Sequence, residues 1–174
     1  MKQVLLTLGL LLVVLLGYYW VNVRYAPQKE TARVINDKEI YFEAPEKITV
    51  GTETEIKMMA KHEQGKLVNF SVDFTYESGV FEVLNVEVNK DIFDKVAKAE
   101  VDEKLGKVIM VGQNSKNRNN LVSGETVLAT IKIKGLKKAG TMIYSSKRPE
   151  VGIFDGGKVY EGNFQMPNFK VNFL

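Results

Sequence analysis

The chain contains no cysteine and only one histidine, and these shortages exclude several classes of chemistry. Without thiols there can be no disulfide, no thiolate zinc site and no cysteine nucleophile. His62 alone cannot build a histidine-rich metal site, and no nucleophile-elbow motif offers it a serine partner. The acidic stretch 91–103 lacks the spacing of a calcium loop, and no glycine-rich phosphate loop occurs. We therefore expect a protein that is not an enzyme, has no metal or cofactor, and carries His62 as a solvated loop residue.

An excess of charge of one sign is also missing. The chain has 24 Lys and Arg against 21 Asp and Glu, for a formal net charge of +3. Lysines and acidic residues alternate along the sequence, so no basic stripe is available to follow a phosphate backbone. The composition therefore argues against a nucleic-acid partner.

A long hydrophobic run is present only at the beginning of the chain. From Val4 to Val23 the sequence is almost entirely apolar, and about 20 such residues are enough for a helix to cross a bilayer. Aromatic residues crowd its far end, next to Arg24, as is typical of a membrane–water interface. A cleaved signal peptide is the main alternative, although Ala26 stands in a poor cleavage context; a buried core helix is another. We expect residues 1–25 to form a transmembrane signal-anchor helix.

The rest of the chain divides into a polar tether, residues 26–38, and a β domain, residues 39–174. Short apolar runs and turn signals follow one another every 8–12 residues or so, without a long helix. The sequence Asp155-Gly156-Gly157 is a strong hairpin signal. This pattern predicts an all-β fold: an antiparallel two-sheet sandwich of about nine strands.

The clearest strand signal is the alternation in residues 68–76. Val68, Phe70, Val72, Phe74 and Tyr76 share one side of the predicted strand. Hydrogen-bonding side chains share the other side: Asn69, Ser71, Asp73 and Thr75. Such a row is either an ordinary solvated sheet face or a surface that recognises a protein or a glycan.

Seven segments, in order, resemble a cohesin domain: ITVGTETEIKM, VNFSVDFTYESGVFEVLNVEV, DIF, GKVIMVGQNS, LVSGETVLATIKIKG, AGT and FDGGKV. The resemblance covers most of residues 47–173. Its most specific parts are YESGVFE at 76–82, similar to the family pattern Y-D-P-x-V-L-E, and GETVLATI at 124–131, similar to D-G-x-L-A-T-I. Cohesins are nine-stranded jelly-roll modules of cellulosome scaffoldins that bind dockerin modules, so the resemblance implies that fold and a dockerin-like protein partner.

The resemblance also implies a partner-binding surface. Asn69 matches a family asparagine, whereas Ser71 stands at a family aspartate and Gln113 at a family glutamate, each without the carboxylate. Together with Asp73 of the polar row, and with Asn114 and Ser115 beside Gln113, these residues form the predicted site.

We therefore expect a membrane-anchored binding module for attachment or assembly. The cohesin family is extracytoplasmic, which favours a domain outside the membrane, although the flanking charges do not decide the orientation. Two alternatives remain open at this point. One is a carbohydrate-binding module at the cell surface, with a polysaccharide ligand, although the only tryptophan is Trp20 in the apolar run. The other is a structural subunit of a surface assembly.

Overall fold

The computed structural model describes residues 38–115 and 123–174. Within these ranges the chain forms eleven strands and no helix. The strands are β1 (Glu39–Glu43), β2 (Glu53–His62), β3 (Lys66–Thr75), β4 (Phe81–Val88), β5 (Lys95–Asp102), β6 (Lys107–Gln113), β7 (Gly124–Gly135), β8 (Ala139–Ser145), β9 (Glu150–Asp155), β10 (Lys158–Asn163) and β11 (Phe169–Phe173). The prediction of an all-β fold is confirmed, and the expected number of about nine strands was too low.

The strands form two antiparallel sheets, as predicted. The first sheet has the order β1-β2-β7-β4. The second has the order β10-β9-β3-β6-β5, and β8 joins the end of β3 and also pairs with β11. The predicted hairpin at 155–157 is confirmed: β9 ends at Asp155, β10 begins at Lys158, and Gly156 and Gly157 both have positive φ.

The core lies between the two sheets and is filled by alternate side chains of their strands. Phe70, Val72 and Phe74 of β3 are at most 1% exposed, as the alternation predicts. At the beginning of β3 the prediction was wrong, because a bulge between Leu67 and Asn69 shifts the register. Leu67, rather than Val68, is therefore the residue fully buried in the core.

The predicted anchor, residues 1–25, and the predicted tether up to residue 37 lie outside the described residues. Among the residues that the structure describes, no helix combines the length and the hydrophobicity needed to cross a bilayer. Lys38, the last residue of the predicted tether, is 4% exposed. Its carbonyl oxygen accepts a hydrogen bond from the N–H of Gln165, so Lys38 itself is bonded to the β domain.

Candidate partner-binding face

The predicted site lies on the outer surface of the second sheet. On this surface, which we call the β3–β6 face, alternate side chains of β3 stand beside alternate side chains of β6. The antiparallel register places Asn69 opposite Gln113, Ser71 opposite Val111 and Asp73 opposite Ile109. Because directly opposed residues of neighbouring strands point to the same side of a sheet, these six side chains share one surface.

Asn69 is held by the next strand on its other side. Its side-chain Oδ1 accepts a hydrogen bond from the backbone N–H of Gly152 in β9, at 2.9 Å. The amide also fills the space above Gly152: a Cβ built there would lie 2.7 Å from Oδ1 and 2.8 Å from Nδ2. One side of the Asn69 side-chain amide therefore contacts β9, and this contact stabilises the pairing of β3 with β9.

Asp73 is the buried acid of the face, with 6% of its surface exposed. Lys107 Nζ lies 3.2 Å from its Oδ2, and Lys147 Nζ lies 3.9 Å from its Oδ1. Lys147 also approaches Glu150, at 3.7 Å. A partner that reached Asp73 would therefore have to displace or contact these lysine side chains.

The end of β6 joins the face to the loop between β4 and β5. Gln113 is exposed. Asn114 Nδ2 donates to the carbonyl oxygen of Ile92, at 2.7 Å, and the Ser115 hydroxyl donates to an Asp94 carboxylate oxygen, at 2.8 Å. Of these three predicted site residues, Gln113 presents its side chain to solvent, while Asn114 and Ser115 bond to the neighbouring loop.

Two apolar residues in the middle of the face were not among the predicted site residues. Ile109 and Val111 of β6 point outward and are half-buried, between the polar row of β3 and the charged side chains of β5. The signal was present in the sequence KVIMVGQ, in which Ile109 and Val111 interrupt the alternation of apolar and polar residues. The solvated face of an antiparallel sheet is usually polar, so two apolar residues there mark a candidate contact surface.

The outer surface of the first sheet has a different character, because it carries three cross-strand ion pairs beside the apolar residues Met59 and Val127. Lys61 lies 3.5 Å from Glu125, Lys132 lies 3.5 Å from Glu53, and Lys134 lies 3.8 Å from Glu82. The side chains in these pairs are 39–59% exposed. Such pairs are strongly hydrated and contribute little to stability, so this surface is suited to contact with water.

His62 was expected in a solvated loop, and this prediction was wrong. It is the last residue of β2 and is 1% exposed. Its ring stands 6.4 Å from the ring of Phe164, and the Lys38 ammonium lies 5.9 Å from the same ring. Burial lowers the pKa of His62; Lys38 lowers it further, while the bond to the Gln64 carbonyl oxygen acts in the opposite direction. The KHEQGK segment is polar in composition, but the β2–β3 hairpin turns its histidine inward.

The described residues contain no group of three or more His, Cys, Asp or Glu side chains that could hold a metal ion. A depression of about 660 Å³, beside the β5–β6 turn, is lined by Glu100, Asp102, Leu105 and Ile109, among others.

No protein-family model matches the chain, and no curated protein matches it. Solved cohesin structures are similar to it in three dimensions. A type I cohesin of OlpC from Clostridium thermocellum, in complex with a dockerin, has a TM-score of 0.66 and 18% identity over 84% of this chain and 97% of that chain. The sixth cohesin of scaffoldin B from Acetivibrio cellulolyticus, also in complex with a dockerin, has a TM-score of 0.65 and 11% identity over 80% of this chain and 100% of that chain.

A third similar structure is the seventh ScaB type I cohesin from Pseudobacteroides cellulosolvens. Its TM-score is 0.64, with 12% identity over 79% of this chain and 92% of that chain. At these identities the likeness concerns the fold. The described residues of this chain form a cohesin-like domain.

Proposed function

We propose that this domain is a non-enzymatic binding module that docks a dockerin-like protein on its β3–β6 face. The observation that carries the proposal is the cohesin-like fold, since the similar cohesins from Clostridium thermocellum and Acetivibrio cellulolyticus were solved in complex with dockerins. The absence of cysteine from the whole chain, and its single histidine, further support a role in binding rather than in catalysis.

The composition of the two outer surfaces supports the choice of face. The centre of a protein interface is usually poor in charged residues, and its polar residues lie at the rim. On the β3–β6 face, Ile109 and Val111 form an apolar centre. Ser71 and Asp73 of β3 lie on one side of it, and Lys98 and Glu100 of β5 lie on the other. Docking on the first sheet would instead desolvate several Lys–Glu pairs, at a cost that their mutual attraction does not reliably offset.

The same face suggests the chemistry of the partner. Ser71 and Gln113 offer neutral hydrogen-bonding groups where the cohesin resemblance implies carboxylates, and Asp73 is already paired with lysine. The partner surface that fits is therefore an apolar side chain over Ile109 and Val111, surrounded by hydroxyl or amide groups. A dockerin that relies on a strongly basic patch would fit less well.

Membrane attachment is the second part of the proposal. The apolar run from Val4 to Val23 has the length of a membrane span, and it would hold the binding module outside the cytoplasm. Mass spectrometry of the native protein tests whether residues 1–25 are retained. Protease added to intact cells should digest the domain. Membrane attachment would be contradicted if the native protein lacked its first 25 residues. A location outside the cytoplasm would be contradicted if the protease left the domain intact until the cells were lysed.

The binding proposal is tested with the full-length chain and a panel of purified type I dockerins, by calorimetry. We expect at least one dockerin to bind, and Val111→Lys to weaken that binding by about tenfold or more, because a charge then enters the interface centre. Val127→Lys is the matched control: Val127 is a half-buried valine facing outward on the first sheet. Equal effects of the two variants, or no binding by any dockerin, would overturn the proposal.

The two alternative functions predict different results with dockerins and with polysaccharides. A carbohydrate-binding module would be retarded by a polysaccharide in affinity electrophoresis and would ignore dockerins. A structural subunit of a surface assembly would bind neither and would be recovered in a large complex.

A further inference from the structure

Strand β5 is the edge of the second sheet. Among the described strands it pairs with β6 alone, so its other side presents backbone N–H and C=O groups to solvent. It is also the most exposed of the eleven strands: none of its residues is buried, and six of its eight residues are exposed. An edge of this kind is a template for pairing with another strand.

The core-facing side of β5 carries apolar residues that the domain covers only in part. Val96, Ala99 and Val101 stand opposite Gly112, Met110 and Val108, which are buried in the core. Nevertheless Ala99 is exposed, and Val96 is 40% exposed. Strand β4 of the first sheet contacts β5, yet Val96 and Ala99 stay exposed. A strand added beside β5 would cover them.

The outward-facing side of β5 carries charges whose order is complementary to itself. Lys98 and Glu100 lie on this side, two residues apart, with Lys98 Nζ at 3.2 Å from a Glu100 carboxylate oxygen. If a second β5 pairs antiparallel with a two-fold axis at Ala99, each Lys98 faces Glu100 of the other copy. Moving the axis to Lys98 or to Glu100 would instead oppose two like charges, which is unfavourable.

We propose that two copies of this chain associate through β5, in antiparallel register about Ala99, so that the two second sheets become one continuous sheet. Ala97 of each copy then faces Val101 of the other, and the two Ala99 side chains meet on the core-facing side. A shift by one residue would place the charged row against the apolar row, because side chains alternate between faces. The charge pattern and the apolar row thus select the same register.

Strand β5 also carries a feature that limits pairing with unrelated strands. Lysine on an edge discourages unspecific addition of strands. The bulge at Ala97, between Val96 and Lys98, leaves residues 98–102 as the regular part of the edge. In the two-fold register, by contrast, Lys98 meets an opposite charge. The selected partner is therefore a second copy of the same strand.

Cysteine cross-linking in the full-length chain, in non-ionic detergent, tests the proposal. The natural sequence has no cysteine, so Ala99→Cys introduces a single thiol at the two-fold axis, where directly opposed residues are close enough for a disulfide. Leu105→Cys is the control, since Leu105 is 71% exposed and lies beyond the paired segment. We expect Ala99→Cys to form a disulfide-linked dimer under mild oxidation at least about tenfold faster than Leu105→Cys. Equal rates would overturn the proposal.

Charge reversal in the Ala99→Cys background then tests the register. Lys98→Glu and Glu100→Lys, each alone, oppose like charges at both contacts and should slow cross-linking by roughly tenfold. The double variant Lys98→Glu/Glu100→Lys should restore it, and so should mixing the two single variants, which are complementary to each other. Restoration also shows that the variants fold. If single and double variants cross-link at the same rate, the proposed register is wrong.

Discussion

The side-chain Oδ1 of Asn69 accepts a hydrogen bond from the backbone N–H of Gly152, 83 residues further along the chain, at 2.9 Å. The contact sits beside the bulge between Leu67 and Asn69, where the regular pairing of β3 with β9 is interrupted. A residue expected to bind a partner therefore also maintains the sheet that presents the face.

Replacing Asn69 with alanine should lower the free energy of unfolding by about 1–2 kcal/mol, because the partly buried N–H of Gly152 loses its acceptor. Urea denaturation followed by circular dichroism measures this change. Ser71→Ala is the control on the same strand face and should change stability by less than about 0.5 kcal/mol. Equal stability of the two variants would show that the contact with Gly152 contributes nothing.

The buried carboxylate of Asp73 should be stabilised more by Lys107 than by Lys147. Lys107 lies at 3.2 Å with a side chain that is 31% exposed, whereas Lys147 lies at 3.9 Å and is 47% exposed. Lys107→Met should therefore destabilise the domain by about 1–2 kcal/mol, since it leaves a buried carboxylate with poorer compensation. Lys147→Met should cost less than about 0.5 kcal/mol. Thermal unfolding of both variants decides between this order and the reverse.

His62 should make the domain less stable in mild acid. Burial lowers the pKa of His62 in the folded state below its unfolded value of about 6.5, so the unfolded chain binds the proton more readily. The contribution of neutral His62 to the stability of the fold is complete above about pH 6.5. It is lost as the pH falls from that value towards the pKa of His62 in the folded state. Unfolding in urea at pH 7.5 and at pH 5.5 should show the loss.

The control for this pH dependence is the variant His62→Gln. His62 is the only histidine of the chain, and most carboxylates titrate below pH 5. The variant is expected to be less stable at both pH values but nearly insensitive to pH between them. A variant that keeps the full pH dependence would show that other groups cause it.

Glycine at position 65 is required by both conformation and space. Gly65 has φ +74°, and a Cβ there would overlap the side chain of Ile153 and lie 3.0 Å from the Phe154 carbonyl oxygen. Gly51 has a similar φ of +80° but no atom within 4 Å of such a Cβ. Gly51→Ala should cost about 1–2 kcal/mol for the backbone alone. Gly65→Ala should cost about 1–3 kcal/mol more, because of overpacking; calorimetric melting of both variants measures the difference.

The predicted site residues differ in how far their side chains are bonded within the domain, as Asn69 and Asp73 show. Ser71 and Gln113 stand on the β3–β6 face as the alternation and the resemblance implied. Asn114 and Ser115 also lie at its end, but their side chains bond to Ile92 and Asp94. Whether any of these residues contacts a partner stays a prediction. The sequence could not reveal these bonds, because each joins segments that are about 20 residues apart.

What the sequence alone determined is the local geometry. Alternation of apolar and polar residues predicted the buried side of β3, and Asp155-Gly156-Gly157 predicted the β9–β10 turn, because both depend on neighbours within a few residues. The tertiary structure decided which polar side chains form hydrogen bonds or ion pairs within the domain. It also decided that His62 is buried and that the apolar centre at Ile109 and Val111 faces outward. Those outcomes depend on which distant strands lie side by side, and the pairing of strands is a property of the whole sheet.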